Sequence, residues 1–230
     1  MAKEYRDLIV GLDIGTSKIM SVVAEVQSDS TLKVLGLGVA SSSGMKRGVV
    51  VNIEACVQSI QQAIREAELM AACKITRVIT GITGSHIRGR NSVGMVAVRD
   101  REVTPADVAK VLETARAINI STDQRPLLVE PQEFIIDGQE VKEPIGMSGI
   151  RLESKVHIVT CAQSAAENII KCVRRCGLEV DHLMLNPLAS SLATLTEDER
   201  ELGVVLVDIG AGTTDIAVFS GGAIRHTAVL

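Results

Sequence analysis

The same short phrase occurs twice in this chain, once near each end. The first copy reads Val10-Gly11-Leu12-Asp13-Ile14-Gly15-Thr16-Ser17-Lys18, and the second reads Val207-Asp208-Ile209-Gly210-Ala211-Gly212-Thr213-Thr214-Asp215. Each copy runs from apolar residues into Asp-Ile-Gly and out into a second apolar run. That pattern predicts a strand, a tight glycine turn and a returning strand. Two such hairpins facing each other are suited to holding the phosphates of one nucleotide, because backbone N–H groups in a glycine turn converge on concentrated negative charge. Gly15, Gly210 and Gly212 let the main chain approach without a Cβ in the way, and Ala211 completes the second turn. Thr16, Ser17, Thr213 and Thr214 add hydroxyl donors, and Lys18 adds a positive charge. Asp13 and Asp208 repel phosphate directly. They make sense as holders of Mg²⁺ through its waters, since that ion keeps several waters while bridging phosphate oxygens.

Rival glycine motifs fail on spacing. The P-loop pattern GxxxxGK[ST] is absent, and Gly210-Ala211-Gly212 lacks the third glycine of a dinucleotide fingerprint and leads into a strand where that motif needs a helix. One copy alone reads as an ordinary hairpin; two copies with the same Asp-Ile-Gly core favour the phosphate reading.

Between the copies the pattern changes twice. Strands are expected at 7–13, 19–26 and 32–40, a loop at 41–48, and a helix capped by Asn52 with Ile53, Val57, Ile60, Ile64, Ala67 and Ala71 on one face. A buried strand at 77–83 ends at Gly84. From 85 to 178 the order is β-α-β-β-α: a strand at 92–98, a helix opening at Thr104-Pro105, strands near 126–136 and 154–161, and a second helix. Ser164 and Glu167 are expected to form that helix's capping box, and Gly177 to end it. Both helices are expected on one face of a small inserted sheet. A strand at 182–185, a helix opening at Asn186-Pro187 and a polar connector at 196–201 lead to the second copy. The division is 1–84 with 179–202, an inserted subdomain at 85–178, and a second domain starting at 203–230. With three strands and no helix that second domain cannot cover its own sheet, so the chain reads as part of a longer protein.

Composition narrows the class. The 230 residues carry a formal charge of −4, which argues against a general nucleic-acid binder, and 46% hydrophobic residues suffice for a core. Aromatics are 1%, so that core must be aliphatic. The five cysteines include no CxxC pair, although Cys172 and Cys176 sit at a spacing that permits a metal pair; buried reduced thiols are the plainer reading. The first residues lack a signal segment, and no apolar stretch approaches membrane-spanning length.

The duplicated turns resemble the actin-like ATPase fold, two ribonuclease H-like α/β domains facing across a nucleotide cleft. The linking segments narrow this further. Gly48-Val49-Val50-Val51-Asn52, Pro131-Gln132-Glu133-Phe134, Pro144-Ile145-Gly146-Met147, Lys155-Val156-His157-Ile158-Val159-Thr160 and Leu195-Thr196-Glu197-Asp198-Glu199-Arg200 closely resemble the FtsA family of bacterial cell-division proteins, over roughly the first half of its length. The resemblance implies binding of ATP and Mg²⁺ and self-association into filaments. It implies a link between FtsZ and the inner membrane at the division site, and recruitment of later division proteins through residues 85–178. The FtsZ contact and the C-terminal membrane helix of that family fall beyond residue 230, so the segment alone is expected to be soluble. The alternatives are a related pilus-assembly protein and a phosphotransferase or chaperone ATPase of the same fold. Two departures stand out. Ala211 replaces the usual second glycine. Asn186 stands where hydrolysing relatives carry Glu or Gln, which implies weak hydrolysis at most, although a helix-cap role accounts for it too. His157, inside an apolar strand, reads as a satisfied core histidine, and His86 as a hinge or packing residue. Pro131-Gln132-Glu133 reads either as a partner-contact surface or as a strand bulge.

Overall fold

The computed structural model describes residues 7–230. Residues 1–6, Tyr5 among them, lie outside that range, and with them the first part of the segment that bears on a leader. The chain opens with β1 (Leu8–Ile14), β2 (Lys18–Val26) and β3 (Leu32–Ser41), followed by a two-strand ribbon, β4 (Met45–Lys46) and β5 (Val49–Val50), inside the expected loop. Alternation sends Val10, Leu12 and Ile14 to one face of β1, each less than a tenth exposed. Helix α1 (Ile53–Ala71) covers that face with Cys56, Val57, Ile60, Ala63, Ile64 and Ala67. Burial of each such Ile or Val stabilises by about 1.5–3 kcal/mol. Asn52 caps the helix as expected, its side-chain oxygen accepting the Ala55 N–H at 3.1 Å. The helix lies directly on β3, where a Cβ on Gly38 would stand 1.8 Å from the Ala63 carbonyl oxygen. Its side chains also serve the free edge of β3: Glu66 accepts the Val39 N–H at 3.1 Å. Strand β6 (Arg77–Ile82) follows.

Next come β7 (Arg88–Ala97), α2 (Pro105–Arg116), β8 (Gln124–Ile136), β9 (Gln139–Val141) and β10 (Arg151–Ala162). These strands form an antiparallel sheet in the order β7-β10-β8-β9. Helix α2, with the expected Thr104 cap closed into a box by Asp107, covers one face through Val111 and Ala115. The register shifts between Lys155–Glu133 and Val156–Pro131, which makes Gln132 the extra residue of a β-bulge.

Helix α3 (Gln163–Arg175) departs from expectation twice. It starts directly from the end of β10 with Ala162 at the cap position and no side-chain cap bond, so Ser164 is already inside the helix and cannot cap it. Its apolar stripe, Ala166, Ile169, Cys172 and Val173, joins the core around α1, leaving α2 as the helix on the small sheet. Cys56, Cys172 and Cys176 are free thiols at this α1–α3 contact.

Strand β11 (Glu179–Leu185) completes the first sheet in the order β11-β6-β1-β2-β3, with β11, β6 and β1 parallel and the other pairs antiparallel. Helix α4 (Asn186–Thr194) touches β6 and β11 on one side and β12 (Val204–Ile209) and β13 (Thr214–Ser220) on the other. Between them the expected connector is a helix, α5 (Glu197–Leu202), capped by a Thr196–Glu199 box. Strand β14 (Ala223–Val229) completes a second antiparallel sheet, β12-β13-β14. Its inner face packs Leu206, Ala217, Phe219 and Ile224 with Leu188 and Leu195. On its outer face Val205, Val207 and Ile209 are 57%, 51% and 78% exposed. Among the described residues no helix is long and apolar enough to cross a membrane.

Candidate functional site

The two copies of the phrase fold into the same hairpin. In the first, Ile14 pairs with Ile19 and the Gly15 N–H donates to the Lys18 carbonyl at 3.0 Å. In the second, Ile209 pairs with Thr214 and the Gly210 N–H donates to the Thr213 carbonyl at 2.9 Å. Those two amides close their own turns. The amides of Thr16, Ser17, Ala211, Gly212 and Thr213 have no hydrogen-bond partner among the described residues. Unpaired amides rimming a cleft are anion donors. Ala211 does not have a positive φ, so its Cβ places no strain on the loop.

The turns meet. A Cβ on Gly212 would stand 2.8 Å from Thr16 Oγ1 and 3.1 Å from Arg47 Cα, so glycine is needed there for close approach and not for an unusual backbone angle. Thr16 Oγ1 also accepts the Gly48 N–H at 3.2 Å. Between the hairpins lies a cavity of about 690 Å³. Its floor is the face of the first sheet opposite α1, with Gly11, Gly81, Met20, Val22 and Ile79. Asn186 overhangs that floor: a Cβ on Gly81 would meet its Oδ1 at 2.1 Å. Asn186 is the first residue of α4 and makes no cap bond, so the capping role expected for it is not the one it has.

Of the residues expected from sequence, Asp13, Gly15, Thr16, Ser17, Lys18, Asp208, Gly210, Ala211, Gly212 and Thr213 all line this cavity. Thr214 does not. It precedes Asp215, which faces the cavity, and alternation sends it to the other face of the strand. Asp215 itself was missed. It is the cross-strand partner of Asp208, in the place Met20 has opposite Asp13, so the two carboxylates share one face. Asp215 is 3% exposed and accepts hydrogen bonds from the Thr83 hydroxyl, across the cleft, and from Thr213 at 3.4 Å. Ser190 on α4 donates to Asp208 at 2.8 Å. The available signal was an aspartate inside an apolar run, with no counterpart in the first copy.

A like charge nearby raises a carboxylate's proton affinity, and Asp13 and Asp215 both feel the charge of Asp208. Burial, then the Asp208 charge, pushes Asp13 above the usual carboxylate range, against the pull of Lys18. Burial also raises Asp215, opposed by the Thr83 bond and reinforced by Asp208. A cation relieves this repulsion. Among the described residues no group of three or more His, Cys, Asp or Glu stands close enough to hold a metal directly.

Comparison with known proteins bears on both the small sheet and the whole. A family model described as "SHS2 domain inserted in FTSA" matches residues 84–160, the span from β7 to β10 that excludes α3. The chain is 62% identical to cell division protein FtsA of Pseudomonas aeruginosa over 97% of its own length and 54% of that protein. It is 50% identical to cell division protein FtsA of Escherichia coli over 98% of its length and 54% of that protein. The chain thus spans about half the length of the curated relatives it matches. Among solved structures it is similar to a PilM–PilN type IV pilus biogenesis complex, with TM-score 0.66 and 20% identity over 98% of this chain and 62% of that one. It is also similar to ethanolamine utilization protein EutJ of Carboxydothermus hydrogenoformans, with TM-score 0.54 and 18% identity over 97% and 51% of the two chains. The fold is the actin-like ATPase fold, with a second sheet set inside it.

Proposed function

The chain belongs to the FtsA family of cell division proteins, and on that premise we propose that it holds ATP with Mg²⁺ between its two hairpins as part of an actin-like division protein. The observation that carries this reading is the meeting of the two turns: Gly212 packs on Thr16, and Asp13 and Asp208 line one cavity beneath them. The unpaired amides and hydroxyls of both turns would take the phosphates, and Asp13 and Asp208 would hold the waters of Mg²⁺. The proposal extends to the whole protein as the family suggests. It would form filaments, associate with FtsZ, link it to the inner membrane at the septum, and recruit later division proteins through the inserted sheet.

Titration with fluorescent ATP tests the cleft. Wild type is expected to bind in a Mg²⁺-dependent way. Gly212→Val is expected to abolish binding by separating the turns. Asp208→Asn is expected to lose the Mg²⁺ dependence, with at least about tenfold weaker binding, the equivalent of 1.4 kcal/mol. Equal affinity of all three proteins would refute the reading. Co-sedimentation with FtsZ tests the wider assignment, and binding to a pilus peptide with no binding to FtsZ would favour the pilus-assembly alternative.

Asn186 supports weak hydrolysis. It is shorter by a methylene than the Gln or Glu that positions water in hydrolysing relatives, and a misplacement of about an ångström costs on the order of a hundredfold in rate. Asp215 is the observation that favours the ATPase reading, because it places a buried carboxylate beside the same cavity. Steady-state turnover at chaperone-like rates, abolished by Asn186→Ala, would decide for the ATPase.

A further inference from the structure

Strand β14 belongs to two surfaces at once. It is the third strand of the sheet that carries the second turn, and it lies against the face of the inserted sheet opposite α2. At its far end Leu230 exchanges two backbone hydrogen bonds with Thr214, at 3.0 and 2.9 Å, where the second turn closes. Three residues earlier, Thr227 is buried against the centre of the inserted sheet. There His157, 1% exposed, meets Thr227 Oγ1 through Nε2 at 2.9 Å and Asn91 Oδ1 through Nδ1 at 2.6 Å.

The hydrogen-bond partners assign the tautomer. The Asn91 amide nitrogen points to the Arg225 carbonyl, so its oxygen faces the ring and Nδ1–H donates to it. Nε2 is then an acceptor, and the Thr227 hydroxyl donates. The bulge adds a third point: Gln132, the extra residue in β8, donates to the Ile224 carbonyl at 2.7 Å. Glu133 beside it pairs with Arg225 from β14 and with Lys155 from its own sheet. Glycine permits the approach, since a Cβ on Gly89 would fall 2.4 Å from Thr227 Oγ1 and 3.0 Å from the His157 ring. The bulge and the histidine are therefore two parts of one contact.

We propose that this contact is an allosteric link, through which occupation of the phosphate turns sets the conformation of the inserted sheet by way of Thr214, Leu230, Thr227 and His157. The proposal rests on the reading of the cleft as a nucleotide site. A ligand that draws the two turns together moves the β12–β13 hairpin, and β14 moves with it because it is hydrogen-bonded along β13. The inserted sheet follows where its polar partners are fixed, or parts from β14 where they are not. These two arrangements, docked and undocked, are the states that nucleotide biases. By reciprocity, a protein bound to the inserted sheet in the docked state tightens nucleotide binding by the same factor.

The test is hydrogen exchange of the full chain, with and without a non-hydrolysable ATP analogue and Mg²⁺, after nucleotide affinity has been measured for each variant. In wild type and in Thr227→Ser, which keeps the hydroxyl, the analogue is expected to slow exchange in residues 88–95 and 154–160 about fivefold or more. Thr227→Val is expected to lose the slowing while still binding the analogue, more weakly than wild type by no more than the coupling factor of about fivefold. Gln132→Ala, a milder change at the bulge, is expected to lose part of it. A Thr227→Val protein that keeps the wild-type slowing overturns the link, as does a wild type that binds the analogue with no change in the inserted sheet. A wild type that binds no nucleotide overturns both the cleft reading and the link, a result visible in the affinity measurement alone.

Discussion

His157 shows how far a single residue's surroundings decide its chemistry. Burial, then the neighbouring His226, pushes its pKa down to about 4. A histidine whose folded pKa lies below its unfolded value of about 6.5 contributes stability that is present above pH 6.5 and lost as pH falls toward 4. The shift corresponds to roughly 3 kcal/mol. Asp13 and Asp215 work in the opposite direction. Their pKa values are raised on folding, so the protonated form is favoured and their contribution declines as pH rises through the carboxylate range. The histidine contribution alone is expected to destabilise the chain on acidification between pH 6.5 and 4. Urea denaturation at pH 7 and pH 4.5 measures this. Wild type is expected to lose on the order of 2–3 kcal/mol through this group, and His157→Gln, whatever its absolute stability, to show a much flatter profile. Sequence placed His157 inside an apolar strand and so identified it as a core residue. Its partners Asn91 and Thr227 lie 66 and 70 residues away, a distance that no local pattern spans.

At the scale of elements, the legible parts were those with strong periodicity. The strands of both hairpins and α1 follow directly from alternation and from the apolar stripe of residues 53–71. Helix α5 was not legible because none of its six residues is buried; with no apolar stripe, only the Thr196–Glu199 box marks it as a helix. The allegiance of α3 was not legible for another reason. Its stripe shows that one face is buried but not against what, and the tight junction with β10 swings it onto α1. The same junction removed Ser164 from the cap position. Chemical denaturation of single variants separates true caps from apparent ones. Thr104→Ala is expected to cost about 1 kcal/mol, whereas Ser164→Ala is expected to stay within about 0.5 kcal/mol of wild type. Equal losses would mean that α3 is capped after all.

At the scale of the molecule, the duplicated phrase organises the protein in a way that sequence half revealed. It located both turns and ten of the residues that line the cavity. It did not reveal that the copies are chemically unequal, with Met20 in one and Asp215 in the other, because cross-strand partners become visible only once register is known. The inequality extends to the outer surfaces. Val10, Leu12 and Ile14 in the first copy are under α1, whereas their counterparts Val205, Val207 and Ile209 face outward on an edge strand. That seam is a colloidal property as much as a structural one. An apolar strip along an unpaired strand is a template for association between molecules. Concentrated solutions of this chain are therefore expected to scatter light and to brighten hydrophobic dyes. A single charge in the strip, Val207→Lys, is expected to suppress both, with Tm held within about 2 °C, because a half-exposed side chain contributes little to the core.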